Sequence, residues 1–235
     1  MIRREVLLEI NKKRGITHID MALKDYVQDK ILYYTYSTAP YIVIFKGGTI
    51  LFKVYGSQRF SMDIDFTAED YGFLENVKRK LRKEGFKVYV SKRILRNEML
   101  STTWNVGSKG LGGTSLKLEI KISKTFEDNK EFTYSSPYPD IRPFNMRVVT
   151  VEYMFRRKLF MLLERKKVRD LFDAYFLAKT YDTKTRIDNT VWDKIAERIM
   201  SMERYWPQIR SLLINYPLPS FKDVIEVIKN HVEIG

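Results

Sequence analysis

The chain has 235 residues, 44% of them hydrophobic and 14% aromatic, and its 42 basic against 29 acidic side chains give a net charge of +13. That length and apolar content suit a globular fold with a sizeable core and argue against disorder. The lack of cysteine excludes disulfides, thiolate metal sites and cysteine nucleophiles, and two histidines, His18 and His231, are too few for a histidine metal site or a Ser-His-Asp triad.

In chain order, residues 2–37 are predicted helical, broken at Gly15, with Thr17 or Asp20 as the cap of the second helix. The N-terminus has charges inside its short apolar part and no small-residue cleavage site, so no secretory signal is expected. No run of 18 apolar residues predicts a membrane span, and a cytoplasmic protein is expected. Tyr41–Phe45 is a continuous β-prone run and reads as a buried strand. Gly47-Gly48 then permits a sharp turn, and a short helix is expected from Thr49 to Tyr55. Asp63-Ile64-Asp65-Phe66 alternates, so on a strand both aspartates share one face. Asp70 is placed to cap a helix reaching Lys83, which Gly85 ends. Strands are predicted at Phe86–Val90, at Arg96–Val106 and at Leu116–Ser123. GSKGLGG at 107–113 lacks the Gly-Lys-Ser/Thr of a P-loop and reads as a hairpin loop. Residues 127–145, with Pro137, Pro139 and Pro143, read as an irregular excursion. From Thr150 the chain reads helical to its end, with breaks at Pro207 and at Pro217–Pro219.

Two segments carry candidate chemistry. After the first strand, Gly47, Gly48 and Thr49 present backbone donors that suit phosphate. Asp63 and Asp65 follow as hard oxygen ligands for a divalent cation, the combination a Mg²⁺-dependent phosphoryl or nucleotidyl transferase needs. Glu119, the one acid in the alternating run Leu116–Ser123, is either a third catalytic carboxylate or a surface residue paired with a cross-strand lysine. In the second segment Val151, Met154, Phe155, Leu159 and Leu162 form an apolar helical stripe with Lys158 at its centre, a costly place for an unpaired ammonium. Asp170 and Asp173 fall opposite the apolar face of Val168, Leu171, Phe172, Tyr175 and Phe176, within reach of Arg169 and Lys166. The excess charge is concentrated: Lys78–Arg96 holds nine basic residues and one acid, Arg142–Lys179 ten and four. This favours a polyanionic partner, most simply RNA.

The string FKGGT…RFSMDIDF resembles the AbiEii toxin family of nucleotidyltransferase fold, found in toxin–antitoxin systems and related to the MenT toxins. Lys158, Arg165, Arg169, Asp170 and Asp173 match a later motif of that family. The resemblance implies an α/β protein: N-terminal helices at 1–37 packed on a nucleotidyltransferase core with a mixed β-sheet at 38–149, and a C-terminal helical bundle at 150–235. It implies transfer of nucleotides from an NTP to RNA, most often the tRNA 3′ end, which blocks translation, with an antitoxin as partner. It also implies roles. Asp63 and Asp65 hold Mg²⁺ or Mn²⁺. Gly47, Gly48 and Thr49, with Arg59, Ser61 and Arg165, bind nucleotide. Lys158 stabilises charge on phosphate, Asp170 orients Lys158, and Glu119 assists deprotonation of the acceptor; Asp173 has no assigned role. Three alternatives stay open: a same-fold transferase acting on a small molecule, transfer to a protein hydroxyl with Ser61 as an acceptor, and an inactive RNA-binding module.

Overall fold

Alternating apolar and polar residues make Gly112–Ile122 the longest strand of the chain, and the sheet around it organises the larger of two parts. The structure, a computed structural model, describes residues 1–235. The chain forms two compact units, Met1–Ile50 with Ser61–Val148, and Leu51–Phe60 with Val149–Gly235.

The first unit begins with helices α1 (Arg4–Lys13) and α2 (Ile19–Tyr36). Its strands are β1 (Val43–Lys46), β2 (Ile64–Ala68), β3 (Lys87–Arg96), β4 (Met99–Ser108), β5 (Gly112–Ile122), β6 (Asn129–Tyr134) and β7 (Phe144–Val149), in spatial order β3-β4-β5-β2-β1-β7-β6. The sheet is mixed: β1 runs antiparallel to β2 and parallel to β7, and β2 runs parallel to β5. Helix α3 (Gly47–Lys53) joins β1 towards β2, and α4 (Phe73–Lys83) joins β2 to β3. One face of the sheet carries Val88, Leu100, Trp104, Val106, Leu116, Leu118 and Ile120, all buried, with α2 packed on β5 and α4 on β3. The other face of β3, β4 and β5 is largely polar and exposed.

Several boundaries differ from the sequence reading. No side chain caps α2: His18 holds the cap position, Asp20 lies inside the first turn, and Thr17 precedes it. Asp70 does not cap α4 but accepts from the Gly72 N–H at 2.6 Å, an Asx turn that starts the helix at Phe73. The short helix starts at Gly47, not at Thr49. Arg96 ends β3 instead of starting the next strand. Asn97 and Glu98, at φ 45° and 61°, form a two-residue turn that pairs Arg96 with Met99.

The excursion at 127–145 is not irregular throughout, because it contains β6 and the start of β7. Its order follows from α2, which buries Asp25, Asp29 and Lys30 completely and must find partners for them. Tyr138 donates to Asp25 at 2.6 Å, and Ser136 and Tyr134 donate to Asp29 at 2.6 and 3.0 Å. Lys30 pairs with Glu84 at 2.9 Å and Asp140 at 3.1 Å. Four residues of the excursion therefore complete the polar stripe of a core helix.

The second unit holds α5 (Val151–Glu164), α6 (Val168–Tyr181), β8 (Thr185–Ile187), α7 (Asn189–Met200), α8 (Phe221–Asn230) and β9 (Val232–Ile234). Thr150 caps α5 by accepting from the Tyr153 N–H. The expected all-helical tail contains a small parallel pair, β8 with β9. Pro207 does not break the chain; it sits within a 3-10 helix, Glu203–Leu212, while the chain at Pro217–Pro219 is irregular. Residues 58–60 pair with residues 212–214 through Arg59 opposite Leu213, Phe60 N–H to Leu212 and Ile214 N–H to Gln58. This ties the segment after α3 into the second unit.

Candidate active site

In the first unit, strand register builds the site. Lys46 pairs with Asp65, Asp65 with Glu119, and Glu119 with Ser101. Directly paired residues project to the same side, so these four form one row across the polar face. Asp63, two residues before Asp65, precedes the first residue of β2. Ile64 and Phe66 between and beyond them are fully buried, and that burial fixes which way the aspartates point. Thr49 donates its hydroxyl to the Asp63 carbonyl, and Gln28 donates to the Ser61 carbonyl at 3.0 Å, so the approach to β2 is held from two sides. Thr49 is buried, and its hydroxyl is engaged with the chain itself.

Gly47 adopts φ +80°, and a Cβ there would fall inside the Asp65 carboxylate. Glycine is required at this position on both counts, left-handed backbone and close approach. The carboxylate thus lies against the start of α3. Beside it, Lys117 pairs with Glu119 at 2.6 Å. Its hydrogen bond to Glu119 raises the Lys117 pKa despite partial burial, with further raising by Glu119, Asp63 and Asp65. An ammonium among three acids occupies the kind of place a cation seeks. The donor set of Asp63 and Asp65, hard carboxylate oxygens, fits Mg²⁺ or Mn²⁺. No group of three or more His, Cys, Asp or Glu side chains is drawn together as a metal cage.

In the second unit, Lys158 is buried with 4% of its surface exposed. Its Nζ lies 3.0 Å from Asp170 Oδ1 and 2.7 Å from Asp173 Oδ2. Arg165 closes on Asp170 with contacts of 2.8 and 3.0 Å, and Arg59 closes on Asp173 with contacts of 2.6 and 2.8 Å. The chain is thus Arg165–Asp170–Lys158–Asp173–Arg59, alternating in sign. The sequence placed Asp170 and Asp173 opposite the apolar face within reach of Arg169 and Lys166, and the family motif joined Asp170 to Lys158; both acids are fully buried, and their partners are Lys158 of α5, Arg165 at its C-terminal end and Arg59. Packing decides this, because α5 lies against α6 and turns its central lysine onto the acids. Burial alone would raise the Asp170 pKa, but Lys158 and Arg165 outweigh it and hold the group below its ordinary value. Arg59, expected among the nucleotide ligands, has its guanidinium engaged by Asp173 and is 3% exposed.

Sequence reasoning missed two charged residues of the first unit. Lys117 was legible: the alternation that singled out Glu119 puts Lys117 and Lys121 on the same face. Glu127 was not, because it lies between strands. It accepts from Lys46 at 3.0 Å and Thr67 at 2.9 Å, and its pKa falls below the usual value because Lys46 and these hydrogen bonds overcome burial.

A strand, a Gly-Gly turn into a short helix and a strand carrying spaced acids is the core of the nucleotidyltransferase fold, and solved structures agree. The chain resembles JHP933 from Helicobacter pylori at 20% identity, covering 87% of this chain and 89% of that one, with a TM-score of 0.55. It also resembles MenT4, the nucleotidyltransferase toxin Rv2826c of Mycobacterium tuberculosis H37Rv, at 20% identity over 100% of this chain and 81% of that one, with a TM-score of 0.59. No match is found among the curated proteins. The model of the family described as "Nucleotidyl transferase AbiEii toxin, Type IV TA system" matches residues 30–204. The chain belongs to this family: it is a nucleotidyltransferase toxin of the toxin–antitoxin class, and an antitoxin is the partner that class implies. No helix is long and apolar enough to cross a membrane.

Proposed function

We propose that this protein transfers nucleotides from an NTP to RNA, at the tRNA 3′ end, in a Mg²⁺-dependent reaction that stops translation. The observation that carries the reading is the row Asp65–Glu119 on an exposed sheet face, with Asp63 two residues upstream and Gly47 pressed against Asp65. Asp63 and Asp65 hold the divalent cation, which when bound supplies Lewis-acid stabilisation of phosphate charge. Gly47 and Gly48 let the triphosphate approach the backbone at the start of α3. Glu119 accepts the proton of the attacking hydroxyl once Lys117 is displaced from it; the hydroxyl oxygen bonds to the α-phosphorus as the bond to the leaving pyrophosphate breaks, and Lys117 remains as a cation beside the phosphates.

Within the second unit, Asp170 and Asp173 fix Lys158 in place, and Arg165 and Arg59 in turn brace the two acids. A lysine so held is a preorganised cation, and the family motif gives it the charge-stabilising role. The basic surface favours RNA over a small acceptor.

The test is direct. The pure protein is incubated with each labelled NTP, Mg²⁺ and total tRNA, and the products are run on a denaturing gel. Label in the tRNA band with one or more NTPs, lost with EDTA, is the expected result. Label on the protein itself would point to hydroxyl transfer with Ser61 among the acceptors, and no label in RNA would overturn the proposal.

A further inference from the structure

The run Lys78–Arg96 is continuous in sequence, but the fold sends it to two sides of the sheet. Its α4 members lie on the helix-covered side, where Lys78, Lys80 and Arg82 are engaged while Arg79 and Lys83 stand exposed. Lys78 pairs with Glu75 and lies 6.0 Å from the Trp104 ring. Lys80 donates to Ser37 at 2.8 Å, and Arg82 donates to the Val88 carbonyl at 2.9 Å. The β3 members divide by register. Arg93 pairs with Thr102 on the packed face and lies over Tyr71. Lys87, Tyr89, Lys92 and Arg96 pair with Gly107, Asn105, Thr103 and Met99. Those four pair in turn with Gly113, Ser115, Lys117 and Lys121 of β5, on the face that carries Glu119.

The same sheet face therefore runs from Asp65 on β2 through β5 and β4 to β3, three strand steps or about 14 Å, with Ile94 and Met99 as its apolar members. Along it stand two cation rows, Lys117–Thr103–Lys92 and Lys121–Met99–Arg96. Lys87, Lys92 and Arg96 are exposed and make no ion pair. Tyr89 is 64% exposed, so an aromatic ring lies open among the cations.

We propose that this face of β5, β4 and β3 is the docking surface for the acceptor RNA. Lys92, Arg96, Lys117 and Lys121 neutralise phosphates on the way to Asp65, and Tyr89, with Lys87 beside it, is a stacking platform for an unpaired base. The inference rests on RNA being the acceptor. The chemistry is that of single-strand binding elsewhere, a basic track with a sequence-tolerant stacking ring. A protein strand adding to the free edge of β3 fits less well. The register shift between Val90 and Lys92 interrupts that edge, lysines flank the shift, and the cations extend across the sheet face instead of along its rim.

The experiment compares K87Q/K92Q/R96Q and Y89A with the α4 control R79Q/K83Q, each checked by thermal melting. Binding of labelled tRNA is measured from low to moderate salt, and KM for tRNA is measured in the transfer assay. The triple variant is expected to bind about 10-fold more weakly or worse, and its log Kd against log salt slope to fall by about 2, near 0.7 per lost contact. Y89A is expected to weaken binding with the salt slope unchanged, since stacking releases no counterion. The control is expected to match wild type in both measurements. Wild-type affinity and KM in the triple variant, or equal loss in the α4 control, would overturn the surface while transfer to RNA stands. If wild-type protein labels no RNA at all, the functional reading fails first and the surface with it.

Discussion

Two groups of charges in this protein look alike in sequence and behave differently in structure. Asp63, Asp65 and Glu119 stand on or beside an open sheet face, with Lys117 paired to Glu119. Asp170 and Asp173 are wholly buried, and three basic side chains close on them from α5, from its C-terminal end and from residue 59. The first group stands at an open face and is accessible to a ligand from outside. The second is neutralised from within, so its ions hold one another in place. A charged motif thus states composition; whether it binds or braces depends on where its counterions come from.

The widest separation between the two groups comes from paired substitutions. Asp65→Asn is expected to lower transfer by about 10³-fold, about 4 kcal/mol of transition-state stabilisation. Its unfolding free energy should change less than that of Asp173→Ala, because Asp65 is only half-buried at an open face. Asp173→Ala should cost about 3–5 kcal/mol because it strands the buried Arg59. Chemical denaturation and the gel assay on both variants check this. Equal destabilisation by the two would erase the distinction.

Lys158→Met sharpens it. Each acid keeps an arginine when the lysine goes, so the stability cost should be about 1–3 kcal/mol, below that of Asp173→Ala. Transfer should nonetheless be lost. A variant that melts lower and retains its specific activity would make Lys158 a brace only.

Gly47→Ala tests the close approach in the first group. The left-handed backbone strains any side chain by about 1–3 kcal/mol, and the new Cβ displaces Asp65. Activity should fall more than the melting temperature predicts, and affinity for the divalent cation, followed by Mn²⁺ binding, should fall with it.

The smallest effect is with pH. Asp170 sits below its ordinary pKa when folded, so its stabilisation is complete above the unfolded value, near 4, and is lost as pH falls through the folded one. Unfolding free energy should therefore decline below about pH 4, and Asp170→Asn should flatten that decline. An identical acid profile in the variant would show that two other acids held below their usual values against burial account for it: Glu127, by Lys46, and Asp140, by the Tyr26 hydrogen bond and Lys30.

What the sequence determined by itself was local. Period-two alternation placed β2 and β5 with their buried and polar faces, and with them Asp63, Asp65 and Glu119. The Gly-Gly pair after an apolar run marked the turn into α3, and the apolar stripe around Lys158 marked a lysine in need of partners. None of these readings requires knowledge of what lies across the sheet or the helix, because each depends on neighbours within a few residues. The tertiary structure decided the rest. It chose Arg59 as the partner of Asp173 across 114 positions, ordered the proline-containing excursion through the buried charges of α2, and paired Asp65 with Glu119. It also parted the basic run between two sides of a sheet. Each of these is a contact between segments remote in the chain, made because buried charges must be paired and because strand register, set by packing of the apolar face, fixes what the polar face displays.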